Sequence, residues 1–281
     1  MAERARGAGE PAPEYFRRFD AFDRVLHGLL MLSFLGLAAT GLPLLFHDVR
    51  WARRLSHLFG GFEVAGWLHR VAAILLIGVF LTHLGRLGRR LLINRDMGVL
   101  WGPRSMVPQP RDLRDLMAHV RWFVGRGPRP RFDRYTYWEK FDYWAVFWGM
   151  AIIGGSGFLL WFPEFFATFL PGWVFSVALL VHGEEALLAV GFIFTVHFFN
   201  GHLRPEKFPM DPVIFTGRVT KAQMQDERAD EYARLQAEGT LDRIRVDPPP
   251  AWLVRFGYAV GATAISIGLM LVVLILYALI T

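Results

Sequence analysis

Long apolar stretches alternate with polar segments along the chain, and five of these stretches are long enough to cross a bilayer as helices. Such a helix needs about 20 mostly apolar residues. We place the five spans, numbered in chain order, at residues 22–46, 66–84, 143–162, 173–199 and 252–280. The pattern therefore predicts an all-α membrane protein with five transmembrane helices.

The polar segments contain further predicted helices. An amphipathic helix at 112–123 has apolar side chains on one face and arginines outside it, as expected for a helix on the membrane surface. Residues 220–237 form a polar helix with Thr220 as its N-cap, and 49–59 is a weaker interfacial helix. The predicted domains are a tail (1–21), a transmembrane bundle (22–205) with a loop at 85–142, a polar loop (206–250) and a fifth span (251–281).

Positive charge lies almost entirely on one side of the predicted helices. Because five spans place the termini on opposite sides, the N-terminal tail shares side A with the loops at 85–142 and 200–251. Side A has 27 of the 31 lysines and arginines, so the positive-inside rule predicts a cytoplasmic N-terminus and a periplasmic C-terminus. The net charge of +6 therefore indicates topology and contact with anionic lipid, and not nucleic-acid binding.

Histidine supplies the candidate chemistry, because the chain contains no cysteine. The absence of cysteine excludes disulfides, thiolate-bound iron–sulfur or zinc sites and covalent c-type haem attachment. Ionisable residues inside a membrane are costly and indicate function. Five of the nine histidines lie inside spans: His27, His69, His83, His182 and His197. His202 follows span 4, whereas His47, His57 and His119 fit ordinary surface positions.

The spacing of the intramembrane histidines brings them to two levels. His69 and His83 are 14 residues apart in span 2, and His182 and His197 are 15 apart in span 4, which is roughly 21 and 22 Å of helix. Both steps return to nearly the same helix face. Since spans 2 and 4 run in the same direction, the first member of each pair lies towards side B and the second towards side A, where His27 of span 1 joins them.

Paired imidazoles at two levels of a bundle are what two non-covalent haems b need. Neutral imidazole suits iron, a bis-histidine pair fills both axial positions, and two stacked haems give an electron path across the bilayer. At side A two pairings for His197 stay open, with His27 or with His83. A third haem would use His83 with His202 or His27. The alternative function on the same residues is a haem-free transporter or proton channel.

Glycine and arginine near the histidines would complete such sites. Gly41 lies on the same face as His27, at the level of side B, and would let a porphyrin approach the backbone. Four arginines flank the histidine-bearing segments and would neutralise haem propionates: Arg24, Arg70, Arg86 and Arg204.

Short motifs around the histidines resemble those of a known family. They are FDRVLH (22–27), LHR (68–70), LVH (180–182) and FTVH (194–197). Over residues 15–205 the chain resembles the integral-membrane cytochrome b subunits of formate dehydrogenase, NiFe hydrogenase and thiosulfate reductase. Two longer strings, YTYWEKF (135–141) with YW (143–144) and HFFNGHLRP (197–205), resemble more closely the cytochrome b proteins linked to periplasmic multihaem c-type cytochromes.

The resemblance implies a four-helix haem-binding bundle with span 5 as an addition. It implies that His69 and His182 bind the iron of the side-B haem, and that His27 and His197 bind that of the side-A haem. His83 departs from the four-helix subunits, which have no histidine there. The spacing in spans 2 and 4 resembles instead the cytochrome b of quinol–cytochrome c reductases, in which arrangement His83 would pair with His197.

The resemblance also implies a quinone site and a redox partner. Such subunits exchange electrons with menaquinone beside the cytoplasmic-side haem, and the segment before span 3, here 136–140, helps to form the site. Glu139 is the candidate proton acceptor for menaquinone or ubiquinone, although the family has an amide there, and an ion pair with Lys140 is its alternative role. We therefore expect the quinone-reactive subunit of an oxidoreductase complex in the respiratory chain of a bacterial inner membrane. The expected partner is a multihaem cytochrome c, and a haem-binding anchor without quinone reactivity is the alternative.

Overall fold

The computed structural model describes residues 13–280 and is built almost entirely of helices. Five helices are long and apolar enough to span a membrane, which confirms the predicted all-α class. Span 1 is Ala21–Leu45, span 2 is Phe62–Ile93, span 3 is Tyr137–Trp161, span 4 is Trp173–Leu203 and span 5 is Ala251–Ile280.

Spans 2 and 3 are longer than their apolar residues predicted. Backbone hydrogen bonding does not stop where apolar side chains stop, so span 2 continues through its terminal arginines to Ile93. Span 3 begins earlier because Thr136 caps it. The Thr136 side chain accepts from the Glu139 N–H at 3.3 Å, and the Glu139 carboxylate accepts from the Thr136 N–H at 2.8 Å. This capping box fixes the start of the helix at the polar residues before the apolar run.

Spans 2, 3 and 4 contain wide π-helical turns. Such turns interrupt the regular hydrogen-bond ladder and are frequent at functional sites. They lie at Arg89–Ile93, Met150–Gly154, Ile193–His197 and Phe199–Leu203. Those of spans 3 and 4 contain or adjoin residues of the candidate site.

Shorter elements occupy the segments between the spans. Helices Arg50–Leu58 and Pro110–Phe123 confirm the elements predicted there. Thr220 caps the polar helix as predicted, but that helix is two helices, Lys221–Glu227 and Ala229–Ala237, separated at Arg228. The other elements are Met97–Val99, Pro163–Phe166, Val213–Thr216, Leu241–Ile244, β1 (Tyr15–Arg17), β2 (Arg218–Thr220) and β3 (Arg245–Val246).

The spans form two helical hairpins and one additional helix. Spans 1 and 2 pack closely along their length, as do spans 3 and 4, and span 5 packs against spans 1 and 4. The buried core joins spans 1, 4 and 5. It consists of Ala38, Leu42, Val190, Phe194, Phe198, Leu271 and Ile275. Span 5 approaches span 4 so closely at Gly268 that a Cβ there would lie 2.6 Å from the Phe194 ring.

Three polar segments, 13–20, 94–136 and 204–250, pack together at one end of the spans, and we call them the polar cap. Strand β1 pairs antiparallel with β2 and with β3. Ion pairs join the other segments, including Arg134 with Glu231 at 3.0 Å and Arg234 with Asp133 at 2.8 Å. The cap therefore unites the segments that the odd number of spans assigned to side A.

Candidate functional site

Two histidines face each other across the hairpins towards side B. The ring centroids of His69 in span 2 and His182 in span 4 are 6.3 Å apart, and the ring planes meet at 76°. The structure thus brings together the two histidines that the sequence assigned to one level.

Each ring is held through Nδ1 by the neighbouring helix of its own hairpin. The Nδ1 atom of His69 lies 3.1 Å from the Thr40 hydroxyl. The Nδ1 atom of His182 lies 3.0 Å from the Ile153 carbonyl oxygen and 3.3 Å from the Ser156 hydroxyl. A carbonyl partner makes Nδ1 the protonated nitrogen and leaves Nε2 with a free lone pair, which is the tautomer that a metal-binding histidine uses.

A glycine follows each hydroxyl residue and makes room for the ring. A Cβ at Gly41 would lie 2.9 Å from Cε1 of His69, and a Cβ at Gly157 would lie 2.9 Å from Cε1 of His182. Gly41 therefore accommodates an imidazole, whereas the sequence had assigned it to a porphyrin. A hydroxyl residue followed directly by a glycine supports the ring in both hairpins.

The separation of the rings fits one metal between them. A metal–imidazole bond is about 2 Å long and the ring centroid lies about 1 Å further, so two axial imidazoles on one metal have centroids about 6 Å apart. Within residues 13–280 no cluster of three or more histidine, aspartate or glutamate side chains is arranged to hold a bare metal ion. Two imidazoles alone suit an iron whose remaining positions a macrocycle fills.

Three histidines towards side A share one cavity. His27, His197 and His202 line a space of about 190 Å³ between the spans and the polar cap. His83 is not among the lining residues. Its Nε2 atom lies 2.9 Å from the Tyr143 hydroxyl of span 3, beside an aromatic contact between Phe80 and Phe147. The structure therefore groups His197 with His27 and His202, and pairs His83 with a tyrosine.

Asp142 is the residue of this cavity that the sequence analysis missed. Its Oδ2 atom lies 3.0 Å from Nδ1 of His197. Its Oδ1 atom is buried and has no hydrogen-bond partner among the described residues. The available signal was a carboxylate one turn after Glu139, within the aromatic start of span 3.

Glu139 also lines the cavity, but its carboxylate has several partners. Besides closing the capping box, it lies 2.7 Å from Arg228 and 3.5 Å from Arg18. Lys140, its expected ion-pair partner, instead contacts Asp112 at 2.9 Å. Glu139 thus lies ion-paired beside the cavity, with the cap arginines as its partners.

The flanking arginines fall into two groups. Arg24 donates to the Phe215 and Thr216 carbonyl oxygens, and Arg86 pairs with Asp20 and Asp23, so both are engaged by the protein. Two others form no ion pair in the described part of the chain. The Nε atom of Arg204 is buried in the cavity wall without a partner, and Arg70 stacks on the Trp67 and Trp161 rings without an ion pair.

Burial shifts the pKa values of two side chains of the polar cap near the site. It lowers the pKa of Arg18, although a guanidinium keeps its charge at neutral pH. Burial also lowers the pKa of His119, with nearby Arg204 and Arg129 adding to the effect. His119 is stacked on Phe123 at 4.6 Å, so it is a packed residue of the cap.

The chain is similar to a membrane cytochrome subunit. The formate dehydrogenase cytochrome b556(fdo) subunit of Escherichia coli K12 is 25% identical over 174 residues, which is 62% of this chain and 72% of that protein. The subunits of strains O6:H1 and O157:H7 give the same values. The similarity supports a membrane cytochrome b. No protein-family model matches the chain.

Proposed function

We propose that this protein is a haem b-containing membrane subunit that transfers electrons across the membrane between the quinone pool and a redox partner. The His69–His182 pair carries the proposal, because its ring separation would let both imidazoles hold one iron and because each Nδ1 atom has a partner on the neighbouring helix. The similarity to a cytochrome b556 subunit agrees with it. Haem b, when bound, supplies one-electron oxidation and reduction.

His69 and His182 would hold the haem towards side B, and His27 and His197 would hold the one towards side A. The shared cavity supports His27 as the partner of His197, since His83 lies outside that cavity and contacts Tyr143. Arg204 and Arg70, which form no ion pair with described residues, would be the donors for propionates.

Two haems fit this chain better than three. A third would use His83 with His202 or His27, but His83 is held by Tyr143 at 2.9 Å. The Nδ1 atom of His202 also already accepts the Asp211 N–H at 3.4 Å. With two haems, His202 lines the side-A cavity beside His27 and His197 and binds no iron.

The quinone, menaquinone or ubiquinone, reacts beside the side-A pair. Reduction of a quinone takes up two protons with two electrons, so a group that exchanges protons is needed within hydrogen-bond reach. We assign this role to Asp142, whose Oδ1 atom is unsatisfied. Glu139, the residue predicted from the sequence, holds Arg228 and the start of span 3 in place.

The polar cap lies in the cytoplasm of a bacterium and the ends at side B face the periplasm, as the distribution of positive charge predicts. A periplasmic multihaem cytochrome c is the redox partner, in contact with side B. The chain would be one subunit of an oxidoreductase complex of the respiratory chain.

A haem count on the purified protein tests the proposal. A pyridine haemochrome assay with a reduced-minus-oxidised spectrum should give close to two haems b per chain. His182→Ala should remove one of them, whereas His57→Ala, at an exposed position outside the spans, should remove none. A folded preparation without a Soret band would overturn the proposal in favour of a transporter or proton channel.

The same assay separates the two side-A pairings. His27→Ala should remove the side-A haem, and His83→Ala should leave both haems bound. The reverse result would make His83 the partner of His197, and a count of three would make His83 and His202 ligands.

A further inference from the structure

A carboxylate stands in the middle of an exposed apolar face of span 4. Five residues of this face recur every three or four positions and are exposed: Trp173, Val177, Leu180, Glu184 and Leu188. Thr195, seven positions after Leu188, and Phe199 are exposed as well. Leu180 and Leu188, one turn to either side of Glu184, have relative exposures of 63% and 65%. Glu184 is the only ionisable member of this face.

Glu184 is too deep to reach water along the helix. It is 11 residues from Trp173 and 15 from Phe199, which is roughly 16 and 22 Å of helix. A glutamate side chain has two methylene groups and cannot extend over either distance. If lipid covered this face, the carboxyl group would lie in hydrocarbon, where ionisable side chains are costly and usually meet a partner.

The described part of the chain offers Glu184 no hydrogen bond and no ion pair. Its neighbour Glu185 shows the contrast, because that carboxylate accepts from the Trp148 indole N–H at 3.1 Å. Glu184 makes no such contact and is the exposed one of the two. The unsatisfied acceptor therefore needs a donor from outside the bundle.

We propose that this face of span 4 binds a transmembrane helix of a different subunit, and that this helix carries a lysine, arginine or amide side chain at the depth of Glu184. Polar side chains hydrogen-bond across helices in membranes, and apolar positions around them provide the packing. Leu180 and Leu188 would supply that packing on either side of the polar contact.

A second copy of this chain fits the face less well. Among the cations of the five spans, Arg70 lies nearest to this depth, because its neighbour His69 faces His182. The Arg70 guanidinium is stacked on two indoles of its own chain, those of Trp67 and Trp161. A symmetric contact would bring two Glu184 carboxylates together, so the complementary donor belongs to another polypeptide.

Site-specific photocrosslinking in the membranes of the native host tests this inference. A benzoylphenylalanine at Leu180 or Leu188 should crosslink to a distinct membrane subunit, and the crosslinked helix should carry a basic or amide residue at the contact. The same probe at Ile74, an exposed position of span 2, is the control for non-specific capture. Crosslinks to lipid alone, to a second copy or to a helix without a donor would overturn the inference.

Substitution of Glu184 supplies the second test. Glu184→Leu should lower the crosslinking yield at Leu188 by at least about threefold, as the loss of one interhelical hydrogen bond would, and Glu184→Gln should retain more of it. Glu63→Leu, at an exposed carboxylate near the start of span 2, is the matched control. An unchanged yield in Glu184→Leu would contradict the proposed contact. Because the haem count is measured separately, failure of the electron-transfer proposal would be distinguishable from failure of this one.

Discussion

At the scale of single residues, the positions of the His69 and His182 rings depend on the glycines beside them. Gly41→Ala would place a methyl carbon 2.9 Å from Cε1 of His69. We predict that the ring shifts and that the side-B haem is lost, so the purified variant should hold about half the wild-type haem. Gly78→Ala is the matched control, because a Cβ there meets nothing within 4 Å.

Full haem content in Gly41→Ala would show that the ring is not held where the structure has it. A thermal melt of both variants distinguishes a local shift of His69 from general unfolding, because helical glycine-to-alanine changes are otherwise neutral or stabilising.

Asp142→Asn tests proton exchange at the cavity. The amide keeps a polar contact with His197 but cannot take up a proton at neutral pH. We predict an unchanged haem count and a fall in quinol-linked haem reduction on the order of a hundredfold, the size of a general acid–base contribution. The measurement is stopped-flow reduction by a quinol analogue, with Asp48→Asn, an exposed residue outside the spans, as control. Equal rates in both variants would exclude Asp142 from the reaction.

These residues also mark the limit of what the sequence could predict. The histidine levels follow from spacing within one helix, so the sequence alone could assign His69 and His182 to one level. The support of their rings could not be predicted in this way, because Thr40 and Ser156 lie on different helices from the rings they contact. Asp142 was missed for a related reason: a carboxylate near the end of a span resembles an interfacial residue until its contact with His197 is seen.

At the scale of elements, the start of span 3 depends on one cap. Removing a threonine N-cap costs about 1 kcal/mol, and Thr136→Ala also leaves the Glu139 carboxylate without its hydroxyl donor. We predict a lower melting temperature for Thr136→Ala, measured by circular dichroism in detergent. Thr82→Ala, which removes only a hydroxyl bonded to the Gly78 carbonyl within span 2, should melt close to wild type. Equal melting temperatures of the two variants would show that the Thr136 N-cap contributes little to stability.

The Thr136 N-cap also explains why the boundaries of the helices were harder to predict than their presence. Hydropathy located all five spans, but polar residues at the start of span 3 looked like loop although their side chains form the helix terminus. The polar helix gave the opposite difference. Its sequence pattern continued through Arg228, yet the helix is interrupted at that residue. The Arg228 side chain contacts Glu139 on another element. Such tertiary contacts are not encoded in a local pattern.

At the scale of the whole molecule, buried charges join the cap to the bundle. Glu231 is 3% exposed and contacts both Arg18 and Arg134. Removing one partner of a buried ion pair costs about 3–5 kcal/mol because the remaining charge is uncompensated. We predict that Glu231→Gln lowers hydrogen-exchange protection in β1 and β2 while the spans stay protected.

Glu238→Gln is the control for that experiment. Glu238 forms an exposed ion pair with Arg234 at 3.5 Å, and exposed pairs contribute less than about 1 kcal/mol. Protection in β1 and β2 should therefore match wild type. Similar losses in the two variants would mean that the buried pairs do not hold the cap.

The division of the spans into two hairpins has a consequence for the life of the protein in the cell. Each proposed pair of ligands takes one histidine from spans 1 and 2 and the other from spans 3 and 4, so neither half forms a complete site during synthesis. On the proposed ligation, the prosthetic group would enter only after both halves have been inserted, and its arrival would complete their association. We expect maturation to depend on iron and porphyrin supply, with starved cells degrading the colourless precursor.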